Sequence, residues 1–369
     1  MAKRSKIAYE SSMPPLLQFI IRRILLIPVS LLIITLVLYA GVMLTPPEAR
    51  AELYFPPRLN PNLTDAQLAQ LQKTIIDKYH LRDSYPVQYA AWIKSIFTGS
   101  WGYSPSLNED VLPALLQRTP ATLELTLYSL LIFIPLGLIS GAWAGWNPNK
   151  NGDNFFRVLA FFGTSMPPFI LALILLAIFY IQLGWFAPGR LADSLSYQIS
   201  KGTIPSLTGF LTIDSLLDGR LDVFVDAVRH LVLPVLTLSL YNWATLGRIT
   251  RATIIEQRRK EFIVSARARG LNESKVMWHH AFRNTLPPSL TSIGFSAASI
   301  LTGAFVVEII YNLHGVSEVL AASVSNAPDA PAALGFTVYS VFMVLVLMFL
   351  VDVAQALLDP RVRDEILNT

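Results

Sequence analysis

Cysteine is absent from all 369 residues. That excludes disulfides, thiolate metal sites and a cysteine nucleophile, and leaves the redox compartment undetermined. Charge is scarce as well. Asp, Glu, Lys and Arg together make 15% of the chain, against the roughly 25% of soluble domains. No G-x-x-x-x-G-K-[ST] stretch occurs, so nothing assigns nucleotide hydrolysis to this chain. The five histidines are His80, His230, His279, His280 and His314, with no H-E-x-x-H among them. His279 and His280 are adjacent, point about 100° apart on a helix and cannot form the i, i+4 chelate of a zinc enzyme. Internal repeats and low-complexity tracts are missing too.

What the chain has instead is apolar length. Hydrophobic residues make up 53% and mean hydropathy is +0.48. They gather into uncharged runs near the ~20 residues that a bilayer core requires. Six are read: Ile24 to Leu44, Leu125 to Trp146, Val158 to Pro188, Leu231 to Gly247, Thr285 to Val307 and Ala330 to Val351. The fourth is the shortest and the weakest. The first follows Arg22 and Arg23 and precedes Ala49-Arg50-Ala51, which has the look of a signal-peptide cleavage site. Its uncharged stretch exceeds the 7 to 15 residues of a signal core, which favours a retained helix. The fold class is therefore an all-α polytopic membrane protein with six transmembrane helices.

Short cytoplasmic loops carry the excess of Lys and Arg. With the N-terminus inside, residues 1–23, 147–157, 248–284 and 352–369 hold 18 of the 29 basic residues, and the short outer loop Tyr311 to Asp329 holds none. Both termini are expected in the cytoplasm, and the net charge of +4 reflects membrane orientation and lipid headgroups, not nucleic acid. The chain divides into a cytoplasmic segment 1–23, a first span 24–44, an extracytoplasmic subdomain 45–124, a core of five spans over 125–351 and a cytoplasmic tail 352–369.

In the subdomain, Leu68, Leu71, Ile75 and Ile76 recur at helical spacing and predict a short helix over Ala66 to Tyr79 lying on the membrane-embedded core. The outer loop 189–229 carries Asp193, Asp214, Asp218, Asp222 and Asp226 against four basic residues; this acidic face is either a solvated surface or a docking surface. The cytoplasmic loop 248–284 interleaves nine Lys and Arg with apolar Ile254, Phe262, Ala266, Val276, Trp278 and Phe282. That pattern predicts two short helices broken at Gly270-Leu271-Asn272, with Pro287 and Pro288 marking entry to the fifth span. Glu124, Glu308 and Asp352 end apolar runs, where a carboxylate serves as a structural anchor or as a substrate contact. Ser292, Ser296, Ser299 and Gly303 form a stripe that is either a polar pathway lining or a packing seam.

The stretch Glu261-Phe-Ile-Val-Ser-Ala-Arg-Ala-Arg-Gly-Leu-Asn-Glu-Ser with His280-Ala-Phe-Arg-Asn-Thr-Leu-Pro287 resembles the coupling loop of bacterial ABC importer permeases. The form is that of the oligopeptide and dipeptide family, A-R-A-x-G-L followed by R-N-x-x-x-P, in its B-type subunit. The likeness extends to Ile21-Arg22-Arg23 before the first span, to Leu81, Asp83, Pro86, Gln88, Tyr89 and Trp92, to Gly99-x-x-Gly102-x-Ser104, and to Pro120-Ala-Thr-Leu-Glu124-Leu. It continues through Ser165-x-Pro167-x-Phe169, Leu183-Gly-Trp185, Leu233-Pro234 with Arg248 and Arg251, Val307-Glu308, Gly315 and Asp352, and ends on Leu358-Asp359-Pro360-Arg361-x-Arg363. Departures are Ser100 for the family's Asp, Gln355 for its Tyr, Val264 where the general motif has Glu, and Asn326-Ala327-Pro328 where Asp-Tyr-Pro is usual.

The resemblance implies a type I ABC importer permease in a bacterial or archaeal cytoplasmic membrane, itself not an enzyme, moving di- or oligopeptides. Ala266, Arg267, Ala268, Gly270, Leu271, Arg283, Asn284 and Pro287 would couple it to one or two cytoplasmic ATP-binding subunits. Small residues there permit close approach, and Arg267, Arg269 and Arg283 offer charged contacts. The bland alternative for this loop is a basic amphipathic helix on anionic lipid. ATP and Mg belong to those subunits, and no cofactor is expected in this chain. A second homologous permease subunit, an extracytoplasmic substrate-binding protein and a peptide complete the expected partners, beside membrane lipid. The same family handles oligosaccharides, nickel chelates and other small solutes. An ion-coupled secondary transporter would show repeats or mid-membrane charges, and neither is evident.

Overall fold

The computed structural model describes residues 14–52, 54–55, 64–200, 207–325 and 329–358. The segment before residue 14, Asn326-Ala327-Pro328, and the tail with Asp359, Pro360, Arg361 and Arg363 lie outside them. Among the described residues five helices are long and apolar enough to cross a membrane, and a sixth crossing is a bent pair. The all-α polytopic architecture is as the apolar runs require.

The first spanning helix, α1 (Pro15–Met43), starts well before the uncharged run because Arg22 and Arg23 extend it. It lies at the periphery against the last helix and is tied there by Arg23 to Asp352 at 3.3 Å. The subdomain follows with α2 (Pro47–Glu52), α3 (Asp65–Lys78) and α4 (Tyr85–Phe97). Thr64 and Gln67 form a reciprocal capping box that opens α3. The helix forms as its periodicity predicts, burying Ile75 and Ile76 with Leu71 partly buried beside them, but it packs on Ala51 and Leu81 of the subdomain itself and not on the membrane-embedded core, and Leu68 is exposed. Buried Arg50 ties the unit together by donating to Gln88 Oε1 at 2.9 Å and to the Leu81 carbonyl at 2.7 Å. Tyr89 and Tyr85 reach back to α1, on Thr35 and the Leu36 carbonyl. A two-residue hairpin, β1 (Tyr103–Ser104) with β2 (Glu109–Asp110), closes it. The Asp329 carboxylate accepts the hydroxyls of Ser104 and Ser106 at 2.6 and 2.7 Å, latching this hairpin to the last helix.

The second span, α5 (Val111–Trp146), begins 14 residues before the apolar run at Leu125, so the subdomain is shorter than 45–124. Gly137, Gly141 and Gly145 recur at i+4 on α5 and meet Leu246, Gly247 and Arg251 of a facing helix. A methyl group at Gly141 would strike the Gly247 carbonyl. Such small-residue seams let membrane helices pack at backbone contact.

The third span differs from the continuous run read at Val158 to Pro188. It is α6 (Asn151–Ser165) and α7 (Pro168–Leu175), the latter running on as a π-helical stretch Leu176–Gln182, with a bend of 102° between them. Pro167 and Pro168 cause the break: they supply no N–H to the preceding turn and force extended backbone before them. Short helices α8 (Asp193–Ser200) and α9 (Leu211–Leu217) fill the next connection.

The run that looked weakest is among the longest helices, α10 (Leu221–Gln257). Its ends carry Asp222, Asp226, Arg248 and Arg251, which shorten the apolar stretch without stopping the helix. After it come α11 (Glu261–Ala268) and α12 (Glu273–Lys275), broken at Gly270-Leu271-Asn272 as predicted. A π-helical turn, Val276–Ala281, joins α12 to α13 (Phe282–Tyr311). Pro287 and Pro288 therefore sit inside α13, one to two turns past its start, and do not mark its entry. Asn312 at φ +53° ends α13, and α14 (Ser317–Ser325) and α15 (Ala330–Leu358) complete the fold.

The core is built by α5, α7, α10 and α13 around Phe133, Leu238, Ile300 and Tyr311. Tyr311 shares a hydroxyl contact with Thr237 at 3.0 Å, joining α13 to α10. The outer acidic residues divide. Asp214 is buried and accepts from Thr208 and Gly209, and Asp226 accepts from the Ala192 N–H. The continuous acidic face read over 189–229 is thus partly internal scaffolding. Glu124 accepts from Thr212 and from Arg190 at 2.8 Å, and Glu308 accepts from Ser317 at 2.6 Å, so both act as anchors.

Candidate functional site

Two features stand out. One is the loop between α10 and α13, the other a cavity where the third span breaks.

In the loop, Ala266 is fully buried with Ile254, Ile263, Val276 and Ala142, packing α11 under the end of α5. Its small size serves this chain's own packing, while Ala268 and Gly270 are exposed. Gly270 adopts φ +74° with nothing within 4 Å of a would-be Cβ, so the turn needs glycine for its backbone and not for space. Asn272 caps α12 by accepting the Ser274 N–H. Leu271 is partly buried against the cluster, and Pro287 is half-buried.

The arginines behave differently from one another. Arg267 grips Glu273 through Nε at 2.7 Å and Nη2 at 3.1 Å, a two-point charge-assisted pair. It also lies 5.3 Å from the Trp146 ring centre, with Arg258 at 5.4 Å. Glu273 raises the Arg267 guanidinium above its ordinary value. Desolvation, and then the neighbouring charge of Arg267, pushes Arg258 down. Arg267 is thus spent within the chain, clamping the loop to the end of α5. Arg269 and Arg283 are exposed and form no ion pair among the described residues. The Asn284 amide donates to the His280 carbonyl at 2.9 Å. Phe262 and Trp278, counted in the apolar face, are each 38% exposed, and Ile263 holds the buried place.

At the break, a cavity of about 530 Å³ is lined by Thr164, Ser165, Pro167, Tyr241, Ser299 and Gly303, with Thr302 beside them. The serine stripe therefore splits. Ser292 and Ser296 are buried between helices, whereas Ser299 and Gly303 face the cavity. Thr164, Ser165 and Thr302 donate their hydroxyl protons to carbonyls of their own helices, so each turns acceptor lone pairs outward. Ser299 and Tyr241 make no side-chain hydrogen bond among the described residues and can also donate. This wall can exchange hydrogen bonds with a polar solute. Sequence reasoning missed Trp146, Glu273, Tyr241 and Thr302. Only Tyr241 and Thr302 carried a local signal, as polar residues within apolar runs.

A helical bundle with a broken span, a hydroxyl-lined cavity at the break and an ordered basic loop at one end defines a multi-pass membrane transport component. The chain belongs to the family described as binding-protein-dependent transport system inner membrane components, whose model matches residues 133–364. It is 31% identical to the di/tripeptide transport system permease of Pseudomonas aeruginosa over 95% of this chain and 100% of that protein. Identity is 28% to the dipeptide transport system permease of Alkalihalophilus pseudofirmus, over 94% and 100%. A probable D,D-dipeptide transport system permease of Escherichia coli is 34% identical over 75% and 79%.

Proposed function

We propose that this chain is a transmembrane permease subunit of an ATP-binding-cassette importer that brings di- or oligopeptides into the cytoplasm. The observation that carries the reading is end-to-end similarity to a di/tripeptide permease. The hydroxyl-lined cavity at the broken span supports it. A peptide crosses only if its amide groups stay solvated or paired, and that wall supplies donors and acceptors.

Both termini and the loop 248–284 are cytoplasmic in this reading, supported by the basic residues of that loop. The subdomain of α2 to α4 faces outward. Ala268, Gly270 and the exposed Arg269 and Arg283 meet an ATP-binding subunit, where ATP and Mg reside. Ala266, Arg267 and Leu271 hold the loop in shape, and Asn284 and Pro287 orient its junction with α13. A second, homologous permease subunit completes the path, and an extracytoplasmic binding protein delivers the cargo. The chain does no chemistry itself.

The test is an affinity pull-down of the tagged chain from native membranes followed by an ATPase assay. Recovery of a second multi-span protein and a Walker-motif subunit, with hydrolysis stimulated by receptor and peptide, is the expected result. A chain that purifies alone and activates no ATPase overturns the reading.

A further inference from the structure

A second cavity, of about 690 Å³, opens between α6 and α10 and is lined by Arg157, Arg248, Arg251, Phe156, Val158 and Phe161, with Asn154 at its edge. Three of these lining residues are arginines, and the acid beside them is Asp153. Asp153 is already filled: it binds Arg251 through both oxygens and accepts the Asn149 N–H at 2.8 Å. Arg157 and Arg248 are exposed and form no ion pair among the described residues. The cavity therefore holds two uncompensated positive charges beside low-dielectric aromatic walls, a setting that concentrates anions.

Its position is as telling as its charge. On α6, Arg157 and Phe161 are followed one turn later by Thr164 and Ser165, which line the cavity at the break. On α10, Arg248, Thr245 and Tyr241 share one face, and Tyr241 lines that same cavity. The seven-residue step from Tyr241 to Arg248 covers only ~10 Å along the axis. The two cavities share no lining residue, but they succeed one another along the same faces of α6 and α10.

We infer that the arginine-lined cavity is an anion subsite of the transport path and that Arg157 and Arg248 take the α-carboxylate of the peptide as it leaves the break. The inference rests on the peptide-importer reading. A guanidinium matches a carboxylate in two-point geometry. Both side chains are solvent-exposed, so the contact stays weak enough for release. An anionic phospholipid would satisfy the charge, but its acyl chains would gain nothing from the hydroxyls of Tyr241, Ser165 and Ser299 in the neighbouring cavity.

The test uses the complete importer in phosphatidylcholine vesicles, with a tripeptide and its C-terminal amide each saturating the receptor. In R157Q/R248Q the ratio of acid to amide uptake falls about tenfold, while R157K/R248K keeps most of it. A second readout exploits the chain's lack of cysteine. A thiol placed by Phe161→Cys is shielded from a charged maleimide during turnover with the acid, several-fold less with the amide, and not in the R157Q/R248Q background. An unchanged ratio, or acid and amide falling together, overturns the inference. So does loss of the second permease subunit from the purified variant, or an effect confined to vesicles containing anionic lipid. Wild-type vesicles that move neither peptide overturn the importer reading itself, a distinct failure.

Discussion

Arg251 on α10 and Asp153 on α6 form a two-point ion pair, with Nη2 2.7 Å from Oδ2 and the carboxylate side chain wholly shielded from solvent. The pair pins the first half of the broken span to the helix it packs on. Removing one partner of a buried pair leaves an uncompensated charge and costs about 3 kcal/mol, whereas removing both costs less. Arg251→Gln strands the carboxylate with only the Asn149 N–H, and Asp153→Asn strands a guanidinium that is partly exposed. The first is therefore the more damaging. Thermal unfolding in detergent should rank R251Q below D153N, with the double variant above the sum of the two. Strict additivity would mean the pair carries no coupling.

Gly270 separates backbone need from partner contact. Asparagine tolerates left-handed backbone, and space around the position is open. Gly270→Asn should fold and retain most uptake, while Gly270→Arg should insert normally yet abolish uptake by obstructing the docked subunit. Uptake by membrane vesicles, read beside co-purification of the ATP-binding subunit, decides it. Normal uptake and normal co-purification in the arginine variant would end the coupling role for this turn.

The split serine stripe predicts opposite phenotypes from neighbouring positions. Ser296 is 5% exposed between helices, so Ser296→Leu overpacks the bundle at a cost of about 1–3 kcal/mol. Ser299 faces the cavity, so Ser299→Trp should leave thermal stability near wild type and cut peptide uptake at least tenfold. Reversed phenotypes would place the path on another face of α13.

Much of this arrangement was legible in the chain, and the illegible parts share a cause. Apolar runs located every crossing, because a bilayer imposes one length on all of them. The same rule hid the bend at Pro167, since an uncharged run reads alike whether straight or broken. It also shortened α10, whose charged ends stay helical beyond the apolar slab. Local chemistry exposed the turn at Gly270, where Gly270 and Asn272 flank Leu271. By contrast, the Arg267 contact with Trp146 and the Arg251 pair with Asp153 join residues far apart in sequence, and no periodicity carries such information. The serine stripe was visible as spacing. Only the neighbours on α6 and α10 decide which half packs and which half faces the cavity.

Glu308 and Gly315 close the last relationship. Asn312 turns the chain back after α13, its φ of +53° bringing residues 315–317 over the helix end. There Ser317 donates its N–H and hydroxyl to Glu308 Oε2 at 3.1 and 2.6 Å. A methyl group at Gly315 would overlap the Glu308 carboxylate, so glycine leaves the room in which Oε2 of this buried acid takes up both Ser317 donors. Gly315→Ala should therefore push the carboxylate off Ser317 and lose about 1–3 kcal/mol, both from overpacking and from a buried polar group deprived of its partner. In a Glu308→Ala background the same methyl meets empty space, so its further cost should fall to a small fraction. A double-mutant cycle on detergent-solubilised protein measures the coupling. Equal cost of G315A in both backgrounds would mean that the glycine answers to the backbone and not to Glu308.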